Sequence, residues 1–106
     1  MINVILFRNE NKDFYGFSLK GHAGYARAGK DIICSAVSAL GINTVNSIEK
    51  LTSAKLKVEE SDGNLKFCLI TKDSKEANLL LKSFALGLEE IQKSYGSKYI
   101  RISYKE

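Results

Sequence analysis

Two side chains in the first part of the sequence could do covalent chemistry together. His22 is the only histidine of the 106-residue chain, and Cys34 is one of its two cysteines. The thiolate is the reactive form of cysteine, and a neighbouring imidazole activates the thiol by forming an ion pair with it. Such a pair can attack a carbonyl carbon, with the imidazole moving the proton.

The position of Cys34 in a predicted helix adds to this interpretation. Asp31 is predicted to open the helix, because its carboxylate can accept a backbone N–H of the first turn. A thiol in that turn would face unpaired N–H groups and the positive end of the helix dipole, which favour the thiolate and could hold an oxyanion. The pattern also fits a loop histidine and a cysteine that packs in the core, so both alternatives stay open.

The spacing of apolar residues predicts the elements around this pair. In chain order they are strands 2–8 and 14–20, a helix from Asp31 to Leu51, strands 54–60 and 65–71, a helix over 74–94, and a strand over 98–104. A glycine-containing loop, 21–30, precedes the first helix. We therefore expect an α+β fold of one domain, residues 1–106, in the order ββαββαβ. One mixed sheet would carry both helices on one face.

Three finer expectations follow from the same patterns. Alternation places Tyr15, Phe17 and Leu19 on one face of the second strand. The same rule turns Val58 of the third strand inward. Gly41 lies inside the first helix, where glycine costs up to ~1 kcal/mol relative to alanine, so it indicates close packing against a neighbouring element.

Charge and composition limit the possible partners. Sixteen basic and twelve acidic residues give a net charge of +4. The basic residues are scattered along the sequence, which favours solvated surfaces over a nucleic-acid footprint. The N-terminus reads as a strand and not as a signal peptide, and no apolar stretch approaches the ~18 residues of a membrane span. Two cysteines without a secretory signal suit the reducing cytoplasm.

The second cysteine and the possible metal ligands are interpreted without a role in the chemistry. Cys68 lies in a predicted strand with no base nearby in the sequence, so we interpret it as a structural or incidental thiol. One histidine and two distant cysteines fall short of the ligands that a zinc site needs. No metal and no other cofactor is expected.

The segment GHAGYARAGKDIICSAVSALG, residues 21–41, closely resembles the ribosomal-processing cysteine peptidase family called Prp. That family carries Gly-His-Ala, a short glycine-containing loop, and then Asp-Ile-Val-Cys-x-Ala-x-Ser. The matching residues are Gly21, His22, Ala23, Gly29, Asp31, Ile32, Cys34, Ala36 and Ser38, with Ile33 in place of valine. The order and length of the elements also match along essentially the whole chain.

The resemblance implies a role for each matching site residue. Cys34 would be the nucleophile, and His22 would be its general base and later its general acid. Asp31 would lie close to the pair and either orient the imidazole or cap the helix. Ser38 would hydrogen-bond within the site or, as a small residue, ease helix packing. Gly21 would be a hinge, so that the loop moves aside for a peptide and the dyad is completed only with substrate.

The resemblance also implies a substrate and a setting. The substrate would be the N-terminal extension of the large-subunit ribosomal protein L-twenty-seven, cleaved after a Phe-Phe pair. The enzyme would be a cytoplasmic homodimer, with neither a membrane nor nucleic acid as a direct ligand. The alternative is a non-enzymatic RNA- or ribosome-associated assembly module with a basic surface, in which His22 and Cys34 are structural.

Overall fold

The computed structural model describes residues 1–21, 28–61 and 63–106, and for residues 28–31 the backbone alone. The elements in chain order are β1 Ile2–Arg8, β2 Phe14–Lys20, α1 Ala28–Leu51, β3 Leu56–Ser61, β4 Asn64–Leu69, α2 Lys75–Tyr95 and β5 Ile100–Lys105. The predicted order ββαββαβ is therefore confirmed.

The five strands form one mixed sheet in the order β3-β4-β2-β1-β5. The outer pair, β1 and β5, is parallel, and every other neighbouring pair is antiparallel. A parallel pair needs a long connection, which here contains both helices, whereas the antiparallel pairs β1–β2 and β3–β4 are joined by short turns. This confirms the predicted α+β class with a mixed sheet.

Both helices pack on the same face of the sheet, which we call the helix face. Its buried strand residues are Ile2, Val4, Leu6, Phe17, Leu19, Leu65, Phe67, Leu69 and Ile100. The ring of Phe84 in α2 lies 4.4 Å from that of Phe17, between centroids. In α1, a Cβ placed on Gly41 would be 2.8 Å from Cδ1 of Leu19, which confirms the predicted close packing. Burial of each large apolar side chain contributes about 1.5–3 kcal/mol, so this layer holds the fold together.

The second helix forms as its sequence predicts. The Ser74 hydroxyl accepts the backbone N–H of Ala77 at 3.2 Å and caps the first turn. At the other end the N–H of Gly96 donates to the carbonyl of Gln92 at 2.8 Å, where the helix stops. The buried residues of α2 are Ala77, Leu81, Phe84, Ala85 and Leu88.

The first helix differs from its prediction at its start. It begins at Ala28, three residues before Asp31, so the prediction that Asp31 opens the helix is wrong. Alanine and lysine are good helix formers, and the Ala-Gly-Lys segment before Asp31 continues the helix backwards despite its glycine.

A β-bulge corrects the prediction for the second strand. Phe7 pairs with Gly16, but the next pair joins Arg8 to Phe14, so Tyr15 is an extra residue on β2. Tyr15 stacks on Phe7, away from the helix face, with ring centroids 5.9 Å apart. The expectation that Tyr15 shares a face with Phe17 and Leu19 is therefore wrong for Tyr15.

Two further expectations do not hold. Val58 on the edge strand β3 is 39% exposed, because no described helix extends over that edge. The segment Ile32–Leu51 of α1 is long and apolar enough to cross a membrane by length and composition, against the expectation that no stretch approaches that length. A core helix passes the same test, and α1 packs Ile33, Val37 and Ile48 into the core.

Candidate active site

Of the predicted site residues, Gly21 lies at one end of the sheet, which we call the loop end. Lys20, the last residue of β2, pairs there with Asn3 on one side and with Asn64 on the other. Asn3 in turn pairs with Arg101 of β5. The chain leaves β2 at this end and re-enters regular structure at Ala28, the start of α1.

Gly21 holds the backbone where the chain leaves the sheet. Its φ is +84°, in the left-handed region that residues other than glycine rarely adopt. Its N–H donates to the carbonyl of Gly63 at 2.7 Å, in the turn between β3 and β4. A Cβ on Gly21 would lie 2.9 Å from the carbonyl oxygen of Met1. The residue immediately before His22 is thus fixed by two other segments of the chain.

Cys34 lies on the flank of the buried stripe of α1. Its neighbours Ile33 and Val37 are almost fully buried, whereas the Cys34 side chain is half-buried and packs against the edge of the core. Ser38, one helical turn further on, is also half-buried. A half-buried thiol keeps a fixed position and can still be reached from solvent, and a nucleophile needs both properties.

The start of α1 changes what can activate this thiol. Cys34 is the seventh residue of the helix, about 9 Å along the axis from Ala28 at ~1.5 Å per residue. Only the first four N–H groups of a helix lack intrahelical partners, and the dipole effect falls off within the first turn. The prediction that the helix terminus favours the Cys34 thiolate and holds the oxyanion is therefore wrong.

The rest of the predicted site is not settled by the geometry. His22 lies outside the described residues, as does the side chain of Asp31. The His22–Cys34 dyad, the role of Asp31 and the movement of the loop aside for a peptide accordingly stay predictions. The contacts of Gly21 with Gly63 and Met1 were not anticipated. The only sequence signal for them was the turn over residues 61–64, and nothing local shows that this turn reaches the end of β2.

The second thiol lies on the other side of the sheet. Cys68 is on β4, where it pairs with Gly16 and Lys57, on the face opposite the helices. The sheet therefore lies between Cys68 and Cys34, and both cysteines are free thiols. Among the described residues, no group of three or more His, Cys, Asp or Glu side chains is placed to hold a metal ion.

Comparison with known proteins gives the class of the chain. A crystal structure of a ribosomal processing protease from Staphylococcus aureus with a substrate peptide superposes with a TM-score of 0.91 at 29% identity. A second one, with a covalently linked product peptide, gives a TM-score of 0.89 at 30% identity. Both cover 99% of this chain and 100% of that chain. The ribosomal processing cysteine protease Prp of Bacillus subtilis is 29% identical over 101 residues, 90% of each chain. The protein is a cysteine protease.

The family follows from a second comparison. The family model described as cysteine protease Prp matches residues 1–101. The chain belongs to that family, and the resemblance found in residues 21–41 is confirmed. Because the chain belongs to a peptidase family, it is a peptidase, and the alternative of an assembly module without enzymatic activity is excluded.

Proposed function

We propose that this chain removes the N-terminal extension of the large-subunit ribosomal protein L-twenty-seven, cutting after a Phe-Phe pair in the cytoplasm. Cys34 is the nucleophile and His22 is the general base. One observation carries the assignment of the nucleophile: both thiols are free and half-buried, and Cys34 is the one on α1, the first helix after Gly21, whereas Cys68 lies on the opposite face of the sheet. The names of the relatives, ribosomal processing proteases, support the substrate.

In the proposed reaction His22 takes the thiol proton, and the Cys34 sulfur forms a bond to the carbonyl carbon after the aromatic pair. The tetrahedral intermediate then breaks its C–N bond, and His22 gives the proton to the leaving amine. A water molecule that loses its proton to His22 attacks the thioester, which releases the acid and restores the thiol. No cofactor takes part in these steps.

Exposed apolar side chains, one close to Cys34 in the sequence and one beside Gly21, support an aromatic substrate. Ile32 is 63% exposed, two residues before Cys34 in α1, and Met1 is 51% exposed with its carbonyl beside Gly21. Recognition of two phenylalanine rings requires apolar contact close to the nucleophile. We propose that Ile32 and Met1 supply part of that contact.

The test uses the extended ribosomal protein and identifies the new N-terminus by mass spectrometry. The wild-type chain should give one cleavage, after the Phe-Phe pair. Cys34→Ala and His22→Ala should each lower kcat/KM by at least ~10³-fold, as loss of a nucleophile or its base does in other proteases. Cys68→Ser is the matched control and should retain activity. Normal cleavage by Cys34→Ala would overturn the assignment, and cleavage elsewhere would overturn the substrate.

The homodimer remains part of the proposal, and one surface of the described residues suits it. A groove of about 600 Å³ runs beside α2 and is lined by Phe14, Leu79, Leu86 and Tyr104, among others. Leu79 and Leu86 are 67% and 59% exposed and lie seven residues apart, so they share one face of the helix. A second copy packed on this stripe would bury both leucines.

A further inference from the structure

The sheet has a second face on which no described helix packs, and we call it the open face. Strand pairing arranges its side chains in three rows across all five strands. Listed from β3 to β5, the rows are Ser61–Asn64–Lys20–Asn3–Arg101, Glu59–Lys66–Ser18–Ile5–Ser103, and Lys57–Cys68–Gly16–Phe7–Lys105. At about 4.8 Å between strands, the face is roughly 19 Å wide.

The three rows of the open face carry an excess of positive charge. Its basic residues are Lys20, Lys57, Lys66, Arg101 and Lys105, all exposed, and its one acidic residue is Glu59. These rows therefore hold an excess of four positive charges. Glu59 forms a salt bridge with Lys57 at 3.4 Å, with both side chains exposed. Residues far apart in the sequence thus meet on a single cationic surface.

An aromatic pair lies within this surface. The rings of Phe7 and Tyr15 stack with centroids 5.9 Å apart and planes inclined by 27°. Lysine ammonium groups lie on either side: Lys66 is 5.9 Å from the Phe7 centroid and Lys72 is 4.8 Å from that of Tyr15. Both rings are only half-buried. Gly16 and Ser18, beside Phe7 and Ile5 in the rows, are buried, and a Cβ on Gly16 would lie 3.1 Å from the Phe7 ring, which therefore covers this glycine.

We propose that the open face binds single-stranded RNA. Proteins bind such strands by combining cations that follow the phosphates with aromatic rings on which bases stack. A sheet that offers aromatic side chains from neighbouring strands is a common platform of this kind. Lys105 is in the same row as Phe7 and Lys66 is in the next row, so one strand can contact cations and the ring together. The proposal goes beyond proteolysis and does not depend on it.

Charge argues against a second copy of the chain on this surface. Two open faces brought together would oppose an excess of four positive charges on each side, and like charges across an interface are strongly unfavourable. Its apolar residues, Phe7 and Ile5, are half-buried within their own sheet and offer little area. The exposed leucines of α2 lie in the other layer and suit a second copy better.

The test measures fluorescence anisotropy of a labelled single-stranded RNA of about twelve nucleotides, within the ~4–16 nucleotides typical of such sites. Lys66→Glu with Lys105→Glu should raise Kd tenfold or more at low salt. Lys50→Glu with Lys82→Glu, the same charge change on exposed helix residues, should leave Kd within twofold. In a salt titration the slope of log K against log salt should fall in magnitude by about 1.4 in the first double variant, or ~0.7 for each lost phosphate contact.

Stacking is tested separately by Phe7→Leu, which keeps an apolar side chain and removes the ring. Its affinity should fall by about fivefold or more, as for loss of one base–aromatic contact. Circular dichroism checks that each variant is folded. Three results would overturn the proposal: no binding by the wild-type chain at low salt, equal losses in both double variants, or a dimer that Lys66→Glu with Lys105→Glu dissociates. Displacement of the RNA by an equal concentration of polyglutamate would also overturn it.

Discussion

Substitution of Gly21 by alanine tests how the fold holds the start of the segment that contains His22, the proposed base. Gly21 has φ = +84° and connects β2 to the segment that begins with His22. A Cβ at this position would lie 2.9 Å from the backbone carbonyl oxygen of Met1. The change thus adds a single methyl group where both the backbone conformation and the available space oppose it.

The expected loss of stability is small. A left-handed conformation costs an L-residue about 1–2 kcal/mol. Alanine also reduces the conformational freedom of the unfolded chain, which offsets about 0.4–1 kcal/mol of that cost. Displacing Gly21 from Met1 would also lengthen its 2.7 Å hydrogen bond to Gly63, and such a bond contributes about 1 kcal/mol. We expect Gly21→Ala to lower the free energy of unfolding by about 1–2 kcal/mol. The domain should stay folded.

Activity distinguishes this position from a merely strained glycine. Gly96→Ala is the matched control, because Gly96 also has a positive φ, +93°, but its Cβ would meet nothing within 4 Å. Both variants should be destabilised in urea unfolding, and only Gly21→Ala should lose activity. Its kcat/KM should fall by about tenfold or more, because displacement of a catalytic group by 1 Å can cost up to ~10²-fold. If Gly21→Ala cleaves as fast as Gly96→Ala, Gly21 does not position the loop.

Three further predictions concern α2, the sheet and the packing between layers. Burial and the 2.7 Å hydrogen bond from its hydroxyl to Glu89 raise the pKa of Tyr104 from 10.0 to about 12, so its contribution to stability is complete below pH 10 and is lost as the pH rises towards 12. Because Tyr104 is 39% exposed, we expect the free energy of unfolding to fall by only about 1 kcal/mol over this pH range. Urea unfolding of Tyr104→Phe should not show this fall. The same fall in both proteins would contradict the prediction. Gly41→Ala should destabilise the fold by about 1 kcal/mol, because overpacking against buried Leu19 costs ~1–3 kcal/mol and the gain in helix propensity is only ~1 kcal/mol. Gly87→Ala should cost less, because its Cβ would lie 3.2 Å from Cδ1 of Leu40. A Gly41→Ala variant more stable than the wild type would refute the packing argument. Leu86→Glu should weaken self-association in sedimentation, whereas Leu51→Glu, at the end of α1 and 76% exposed against 59% for Leu86, should not. A dimer unchanged by Leu86→Glu would exclude the α2 stripe.

The elements could be predicted because local patterns decide them. Apolar spacing gave α2, and Ser74 and Gly96 mark its ends in the sequence as they do in the structure. The errors arise where a distant segment decides. Whether Tyr15 faces the helices depends on the bulge in β2. One extra residue turns the side chains that precede it in the strand to the opposite face of the sheet. Val58 alternates like a buried residue, yet only the packing of the helices shows that its edge is uncovered.

The sequence predicts which residues form the site, and it predicts much less of their geometry. Cys34 is recognisable from its motif, and its partial burial follows from its place beside Ile33 and Val37 on the helix. The start of α1 was missed, because a charged residue such as Asp31 suits a cap but also tolerates the interior of a first turn. The anchoring of Gly21 by Gly63 joins residues 42 positions apart, which no local pattern shows.

The cationic surface shows how the core decides the placement of charge. In the sequence the basic residues are scattered, and the charges cluster only once the strands are in register. Phe67 pairs with Phe17 on the helix face, so the residues next to them, Lys66 and Ser18, must pair on the open face. A slip of one residue in β4 would turn Lys66 into the core and Phe67 into solvent, which the buried layer does not tolerate. The same apolar contacts that stabilise the fold therefore assemble the open face, and the face exists only in the folded chain.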